Sequence, residues 1–282
     1  MSSLRLEQCD CPLCGSSQRG DKVYEAEPYR VVQCRECGLW YLSPRLDEAS
    51  IIERYREDDY FSGGSGKYEG YSDYALQERQ LRATFRHLLR KLHALGMTGG
   101  SLLEVGCGYG YLLSEAKPYF DSITGTDFSA GAVEQAKAHA DDVYLGGVEA
   151  LVAEQQFDCV IAVEVIEHIY DPNTFIEKLY RKLKPGGWLL LATPDMGSGW
   201  RKLLGTRWPS FKFPEHVTYF DRHTLSALFE RHGFDAITSV PSPHLFPLSV
   251  ISEKIGLHIR GRLGDCSVWI PGVVLAMAGR RS

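Results

Sequence analysis

Two carboxylates and an imidazole lie close together in the stretch VEVIEHIYDP. Glu164, Glu167 and His168 directly follow the apolar run FDCVIAV, which is typical of a buried strand. Asp171 and Pro172 suit the N-cap and first position of a helix, so the three residues belong to the loop that enters it. A single turn in this loop is expected to bring all three side chains onto one face.

A second glutamate–histidine pair, Glu215 and His216, occurs in KFPEHVTYF. Three interpretations of the two pairs remain open. Either histidine can serve as a general base, since imidazole titrates near neutral pH. Glu164, Glu167, His168 and His216 can instead hold a divalent cation that lowers the pKa of an acceptor hydroxyl, or the residues are structural. The predicted catalytic residues are His168, His216 and Glu167.

Cysteines form a second set of residues that could take part in chemistry. Cys11 and Cys14 stand in CPLCG, Cys34 and Cys37 stand in CRECG, and 19 residues separate the pairs. Each CxxC turn can direct two thiolates at one point, and two such turns complete a tetrahedral S₄ zinc site. The stretch between them reads as a short hairpin. The spacing predicts a zinc ribbon whose metal is structural, because four thiolates leave no open coordination position.

From residue 101 onward, predicted strands and helices alternate, which indicates an α/β fold with a doubly wound, largely parallel sheet. The first strand runs into EVGCGYG, whose glycines suit a tight turn with exposed N–H groups. Glu104 before this loop matches a cationic ligand group better than a pyrophosphate. Asp127 ends the second strand, 21 residues beyond Gly106, where it can bind a ribose diol or simply precede the helix capped by Ser129.

Five stretches in combination resemble class I S-adenosylmethionine (SAM)-dependent methyltransferases with an N-terminal CxxC…CxxC zinc ribbon, a branch of small-molecule and glycan biosynthesis. They are EVGCGYG, TGTDFS, FDCVIAVEVIEHIYDP, LKPGGWLLLATPD and FPEHVTYFDRHTLSALFERHGF. The resemblance implies a Rossmann-like seven-stranded sheet with a small ribbon attached, closed by the antiparallel strands FDAITSV and GVVLAMAG. It also makes the glutamate–histidine pairs similar to those of ubiquinone-pathway O-methyltransferases and small-RNA 2′-O-methyltransferases.

The same resemblance assigns the cofactor site. Glu104 is placed near the methionine part of SAM, the glycine loop around its amino acid group, Asp127 at the ribose, and residues 148–150 beside the adenine. The predicted cofactor-binding residues are Glu104, Gly106, Cys107, Gly108, Gly110, Asp127, Phe128, Val148, Glu149, Ala150 and Glu164.

Composition narrows the class of protein. The formal net charge of −5, with acidic and basic residues interleaved, argues against a nucleic-acid partner and favours a small-molecule acceptor. No run of 18 apolar residues and no secretory signal are present, so we expect a cytoplasmic protein without a membrane span. The sequence leaves the oligomeric state open.

The expected organisation is a zinc ribbon over residues 1–45, a linker with N-terminal helices over 46–98, and a SAM-binding domain over 99–282. The tyrosine-rich part of the linker is either a mobile connection or a lid. The aromatic and basic insert at 196–215 is either part of the acceptor pocket or a packing loop. Residues 241–271 suggest a cap, a dimer surface or a contact with a lipid-like acceptor.

The expected function is O-methylation of a small molecule, such as a secondary metabolite, a quinone or a sugar or glycan precursor. An RNA methyltransferase that grips its substrate with the ribbon, a sugar C-methyltransferase and a non-catalytic SAM-binding scaffold are the alternatives. SAM, structural zinc and, in the cation interpretation, a second divalent metal are the expected cofactors.

Overall fold

The computed structural model describes residues 5–55, 77–254 and 266–282. Most of the predicted tyrosine-rich linker lies outside these ranges. The N-terminal unit has five strands and one helix: β1 (Leu6–Glu7), β2 (Arg19–Ala26), β3 (Tyr29–Cys34), β4 (Trp40–Leu42), β5 (Arg45–Leu46) and α1 (Glu48–Tyr55). The hairpin expected between the two CxxC turns is present, because β2 pairs antiparallel with β3.

Helix α2 (Glu78–Ala94) is the amphipathic helix expected before the main domain. Its apolar face buries Phe85, Leu88, Leu89 and Leu92 against the first helix of that domain, α3 (Tyr111–Ala116). The helix ends at a turn in which Gly96 has a φ of 71°, a conformation that glycine adopts without steric cost.

The main domain contains a seven-stranded sheet. Its strands are β6 (Ser101–Val105), β7 (Ser122–Asp127), β8 (Asp142–Leu145), β9 (Phe157–Val163), β10 (Leu183–Pro194), β12 (Phe234–Ser239) and β15 (Val274–Arg281), and their order is β12-β15-β10-β9-β6-β7-β8. Only β15 runs against the other six. The continuous apolar runs in β9 and β10 fit burial on both faces of the sheet. The predicted sheet and its antiparallel closing pair are confirmed.

Helices cover both faces of this sheet. They include α3, α4 (Ala130–Ala136), α5 (Pro172–Lys182) and α7 (Arg222–Arg231), which contact its strands, whereas α6 (Gly199–Leu204) lies in the insert after β10. The expected N-caps are present: Ser129 accepts from the Ala132 N–H, and Asp171 accepts from the next turn of α5 with Pro172 at its start. The parallel strands therefore share one carboxyl edge, where the glycine loop after β6 and the turn after β9 meet.

The ribbon shares a sheet and a hydrophobic core with the main domain. A two-residue strand, β11 (Thr218–Tyr219), joins the ribbon sheet, whose order is β11-β4-β3-β2. Ribbon residues such as Leu13 and Leu39 also share a hydrophobic core with Phe220 and Leu225 of the main domain. The sequence did not predict this shared sheet, because a two-residue strand leaves no periodic pattern.

Residues 241–271 contain a hairpin, β13 (His244–Pro247) with β14 (Ser267–Ile270), and the helix α8 (Leu248–Lys254). The hairpin packs on α2: Thr84 Oγ1 accepts from the Leu245 N–H, and Gln80 Nε2 donates to Ser267 Oγ. None of the helices in the described ranges has the length and apolar character needed to cross a membrane.

Candidate active site and thiol cluster

The loop after β6 contains three glycines in the left-handed region. Gly106, Gly108 and Gly110 have φ values of 74°, 51° and 76°. A Cβ at Gly106 would lie 2.6 Å from Val165 Cγ2, and one at Gly110 would lie 3.0 Å from Ala136 Cα. Both the backbone conformation and the close neighbours therefore require glycine at positions 106 and 110.

Asp127 closes this loop from the end of β7. Its Oδ2 accepts from the Gly108 N–H at 2.8 Å, and its Oδ1 accepts from the Ser129 N–H at 2.9 Å. Both roles considered for this residue are thus compatible, because each carboxylate oxygen has a further lone pair for a ribose hydroxyl.

Glu104 is buried beneath the loop. Its Oε2 has no hydrogen-bond partner among the described residues. Burial, with the charge of Asp127, raises the pKa of its carboxyl well above the usual range. A buried carboxyl oxygen without a donor is costly, so a positively charged ligand group beside Oε2 would be favoured. This is the character expected of a site for the ammonium group of SAM.

The other predicted cofactor residues include Cys107, Phe128 and residues 148–150. Val148, Glu149 and Ala150 form a 3₁₀ turn that starts beside Asp127, since the Gly146 N–H donates to the Asp127 carbonyl at 2.8 Å. Val148 is buried, whereas Phe128 is 66% exposed. The Cys107 side chain is buried in the core and leaves only backbone to face a ligand. The roles of these residues remain predictions.

The turn after β9 holds the first glutamate–histidine pair. Glu164 has a φ of 56°, which costs a non-glycine residue energy, and its N–H donates to the Ala192 carbonyl at 2.8 Å. Ile166–His168 then form a 3₁₀ turn. Such strain is retained where surrounding structure fixes it, and it is common at functional sites.

His216 approaches this turn from the segment before β11. One ligand atom each of Glu167, His168 and His216 lies within 4.8 Å of the other two, and the imidazole rings meet edge to face with centroids 4.7 Å apart. Glu164 lies beside Glu167 and hydrogen-bonds with it, but is outside that group. Three of the four residues in the cation interpretation are thus brought together. We call Glu167, His168 and His216 the Glu–His cluster.

Several neighbours orient the Glu–His cluster. Thr193 Oγ1 donates to Glu167 Oε2 at 3.0 Å. The His168 imidazole hydrogen-bonds to the backbone carbonyl of Glu215, and that of His216 bonds to the carbonyl of Ser210. Hydrogen bonds of this kind fix imidazole orientation at metal sites. Thr193 was missed at the sequence level, because it is one hydroxyl within an apolar strand.

The cluster and the neighbouring Glu164 nevertheless contain atoms without hydrogen-bond partners. Glu164 Oε1, Glu167 Oε1 and His216 Nδ1 are buried and have no hydrogen-bond partner among the described residues. Burial and the charge of Glu164 raise the pKa of Glu167 well above its usual range. Purely structural residues would be expected to satisfy one another, so these orphaned atoms point to a bound group.

The pKa values of the histidines distinguish the remaining interpretations. Burial and the charge of Lys212 lower the pKa of His168 to about 3. Burial, with His168 and Lys212 nearby, also holds the pKa of His216 well below its usual range. A group this acidic is a weak general base near neutral pH. Neutral imidazoles with an adjacent carboxylate are, in contrast, suitable ligands for a divalent cation.

The two sites are adjacent. Val165, which separates Glu164 from the 3₁₀ turn, packs directly over Gly106. The glycine loop and the Glu–His cluster therefore meet at the carboxyl edge of the sheet, as expected for a reaction that joins two ligands.

The four ribbon cysteines also come together. The Sγ atoms of Cys11 and Cys37 are 3.5 Å apart, as are those of Cys14 and Cys34, and one sulfur from each lies within 4.8 Å of the other three. Each CxxC turn ends in a left-handed glycine, Gly15 or Gly38. A hydrogen bond from Cys11 lowers the pKa of Cys37 to about 5, whereas the same bond and burial raise the pKa of Cys11. The geometry fits a tetrahedral S₄ ion.

Cys9 lies outside this thiol cluster. Its Sγ donates to the Leu42 carbonyl at 3.4 Å instead. Its exclusion from the predicted ligand set agrees with the structure.

The aromatic insert packs on the ribbon. Phe211 contacts Tyr24 with ring centroids 4.9 Å apart, Trp208 is buried, and Arg201 donates to the Tyr24 hydroxyl. These contacts match the packing-loop interpretation for that part of the insert. Lys212 differs, because its charge acts on both histidines of the cluster.

Solved structures with the same fold include two methyltransferases. One, from Thermotoga maritima, is described as a SAM-dependent methyltransferase and possible histamine N-methyltransferase; it has a TM-score of 0.53 and 21% identity, covering 75% of this chain and 94% of that one. The other is magnesium protoporphyrin IX methyltransferase from Synechocystis PCC 6803 with bound SAH, at a TM-score of 0.53, 14% identity, and 84% and 100% coverage. The fold is that of class I SAM-dependent methyltransferases, as predicted.

A family-level match agrees with the fold. Residues 77–239 match the family described as "Methyltransferase domain", and the chain belongs to that family.

Similar curated proteins include ubiquinone biosynthesis O-methyltransferases of three bacteria. Identity is 29% over 162 residues for Rhodopseudomonas palustris (strain HaA2), 29% over 188 for Nitrobacter winogradskyi and 32% over 133 for Bradyrhizobium diazoefficiens. The alignments cover 53%, 57% and 45% of this chain and 63%, 71% and 48% of those proteins, so the chain spans between about half and about two thirds of most such relatives.

Proposed function

We propose that this protein transfers the methyl group of SAM to a hydroxyl oxygen of a small molecule, with a divalent cation held by the Glu–His cluster. The observation that supports this most is the cluster itself: three ligand atoms within 4.8 Å of one another, beside buried oxygen and nitrogen atoms that lack partners. A bound cation would lower the pKa of the acceptor hydroxyl and so favour its attack on the sulfonium methyl.

The chain's own residues would then align the reactants. Thr193 and the Glu215 carbonyl hold Glu167 and His168 in place, and the contact of Val165 with Gly106 sets the separation of the cluster from the cofactor loop. The sulfonium is already activated, so alignment and exclusion of water supply much of the acceleration.

The glycine loop, Asp127 and Glu104 are proposed to bind SAM through the roles assigned above. The orphaned Oε2 of Glu104 fits a cationic ligand group, and Asp127 is fixed in place by two backbone N–H donors. The ribbon thiols are proposed to hold one structural zinc, which leaves no open position for catalysis.

The acceptor class is proposed from the relatives. Ubiquinone biosynthesis O-methyltransferases act, by their names, on oxygen atoms in a quinone pathway. An aromatic hydroxyl, as in a quinone precursor, is therefore the first acceptor to test. Such a hydroxyl is acidic enough for a cation to ionise it near neutral pH.

The test uses methyl-labelled SAM and zinc-loaded protein. Simple catechols, sugar nucleotides and total RNA are offered separately, each with and without Mg²⁺ or Mn²⁺. Cation-dependent label in a catechol is the expected result. Label confined to RNA, or full turnover of a catechol after removal of every divalent cation except the ribbon zinc, contradicts the proposal.

A further inference from the structure

The short segment of residues 216–219, here named the bridging segment, lies between the ribbon and the Glu–His cluster. On the ribbon side, its β11 residues pair antiparallel with β4, with Thr218 opposite Tyr41. The Leu42 N–H of β4 also donates to the Val217 carbonyl at 2.9 Å. The bridging segment is thus an edge strand of the ribbon sheet.

The other side of the bridging segment bonds to the turn that carries the cluster. The Val217 N–H donates to the Glu167 carbonyl at 2.8 Å, and Thr218 Oγ1 donates to the Ile166 carbonyl at 3.0 Å. Val217 and Thr218 are fully buried. One residue, Val217, therefore accepts from the ribbon and donates to the backbone of Glu167.

His216 begins the bridging segment and has its own support. The Tyr219 hydroxyl donates to the His216 carbonyl at 2.9 Å, and Tyr219 lies opposite Trp40 of the ribbon. The ribbon therefore contributes to the position of His216 relative to Glu167 and His168, which come from a different part of the chain.

We infer that the ribbon is a positioning element for the Glu–His cluster, acting through Val217 and Thr218 so that metal in the thiol cluster strengthens cation binding at the second site. The inference rests on the proposed function, because it needs a cation at that site. A two-residue strand is not stable without its partner, so a loosened ribbon would release the bridging segment. Cation affinity depends on ligands held in place by such neighbours.

The direct test replaces the Thr218 hydroxyl. Zinc-loaded Thr218→Val, Thr218→Ser and wild-type proteins are titrated with Mn²⁺ and followed by electron paramagnetic resonance. Thr218→Val should weaken Mn²⁺ binding about 10-fold, because the Ile166 carbonyl loses the donor that ties its turn to the bridging segment and keeps only the Ile169 N–H. Thr218→Ser keeps the hydroxyl and should restore affinity to within about twofold. Thr124→Val is the matched control, since Thr124 is a buried strand threonine distant in sequence from the bridging segment.

A second preparation tests the ribbon itself. Protein stripped of all metal is titrated with Mn²⁺ before and after reloading one equivalent of zinc. Mn²⁺ prefers oxygen and nitrogen ligands, so it does not replace zinc at four thiolates. Zinc-free protein should bind Mn²⁺ about 10-fold more weakly than the reloaded protein. SAM affinity, measured by calorimetry, should change less than about twofold in each comparison, because the hydrogen bonds that hold Gly106, Cys107 and Gly108 run to Thr126 and Asp127 of β7.

The outcomes separate the two proposals. Suppose that wild-type protein binds Mn²⁺ and that Glu167→Gln abolishes this binding. Unchanged Mn²⁺ affinity in both Thr218→Val and zinc-free protein then overturns the positioning role and leaves the proposed function intact. Absence of any Mn²⁺ site that depends on Glu167 overturns the proposed function and this inference together. If Thr218→Val also loses SAM binding, a 10-fold loss of Mn²⁺ affinity on zinc removal supports the positioning role, and unchanged Mn²⁺ affinity on zinc removal overturns it.

Discussion

The thiol cluster and the Glu–His cluster bring potential metal ligands together in different ways. The four cysteines come from one short segment, and each pair is contained in a single turn. The Glu–His cluster takes Glu167 and His168 from the turn after β9 and His216 from the segment before β11. The first is a local structure, whereas the second exists only when distant parts of the chain fold together.

The two clusters also differ in chemistry. Thiolates are soft ligands that select zinc and complete a closed tetrahedron. A carboxylate with two neutral imidazoles suits a harder divalent cation and leaves coordination positions open for an acceptor. In the function proposed above, the local cluster stabilises the fold, while the assembled one acts on the substrate.

The largest expected effect concerns the thiol cluster. Cys34→Ser should remove zinc from the ribbon and lower the thermal midpoint by at least about 10 °C, because structural zinc contributes many kcal/mol to folding. Differential scanning calorimetry with a zinc assay measures both. Cys266→Ser, at an exposed cysteine, is the control and should change the midpoint by less than about 2 °C. A stable, zinc-free Cys34→Ser protein would show that the ribbon does not depend on metal.

The next effect concerns the Glu–His cluster. Glu167→Gln or His216→Gln should lower the methylation rate by about 10²–10⁴-fold while SAM affinity stays within about twofold. Single-turnover assays and calorimetry separate these quantities. Glu154→Gln, at an exposed carboxylate, is the matched control. A wild-type methylation rate in Glu167→Gln would show that the cluster has a structural role only.

The stability of the protein without a cation at the Glu–His cluster should depend on pH through His168. The pKa of His168 is about 3, against an ordinary 6.5, so the unfolded chain binds a proton below pH 6.5 that the native protein does not. His168 therefore contributes a loss of stability as pH falls from 6.5 toward 3. Between pH 7 and pH 5, wild-type protein should lose about 2 kcal/mol more than His168→Gln in urea unfolding. Equal losses would show that His168 titrates normally.

The smallest effect concerns the cofactor loop. Asp127→Ala should weaken SAM binding about 10- to 100-fold, because a charged acceptor for ribose hydroxyls is lost along with the bond to Gly108. Mn²⁺ affinity should stay within about twofold, which would show that cofactor and cation sites are separable. Calorimetry measures both. Asp142→Ala, at an exposed carboxylate, is the control; equal effects of the two substitutions would remove Asp127 from the site.

The sequence predicted what depends on local spacing. Paired CxxC turns, the glycine loop and the alternation of apolar strands with helices each follow from neighbouring residues, and the structure contains all three. The turn at Ile166–His168 was also accessible, because Asp171 and Pro172 mark the start of the next helix.

What the sequence did not predict depends on contacts between distant segments. The pairing of β11 with β4 has no periodic signal, and the packing of Phe211 on Tyr24 could not be distinguished from an acceptor pocket by composition. The low pKa of His168 was also inaccessible, since it arises from burial and from Lys212. The general-base interpretation therefore stays a prediction from the sequence, and the cation interpretation is the one proposed here.

Anomalous diffraction would test the central claim most directly. Crystals of zinc-loaded protein soaked in Mn²⁺ and SAH are measured at the zinc and manganese absorption edges. We expect a zinc peak among Cys11, Cys14, Cys34 and Cys37 and a separate manganese peak among Glu167, His168 and His216. A zinc peak alone, with no manganese at the Glu–His cluster in crystals that contain SAH, would contradict it.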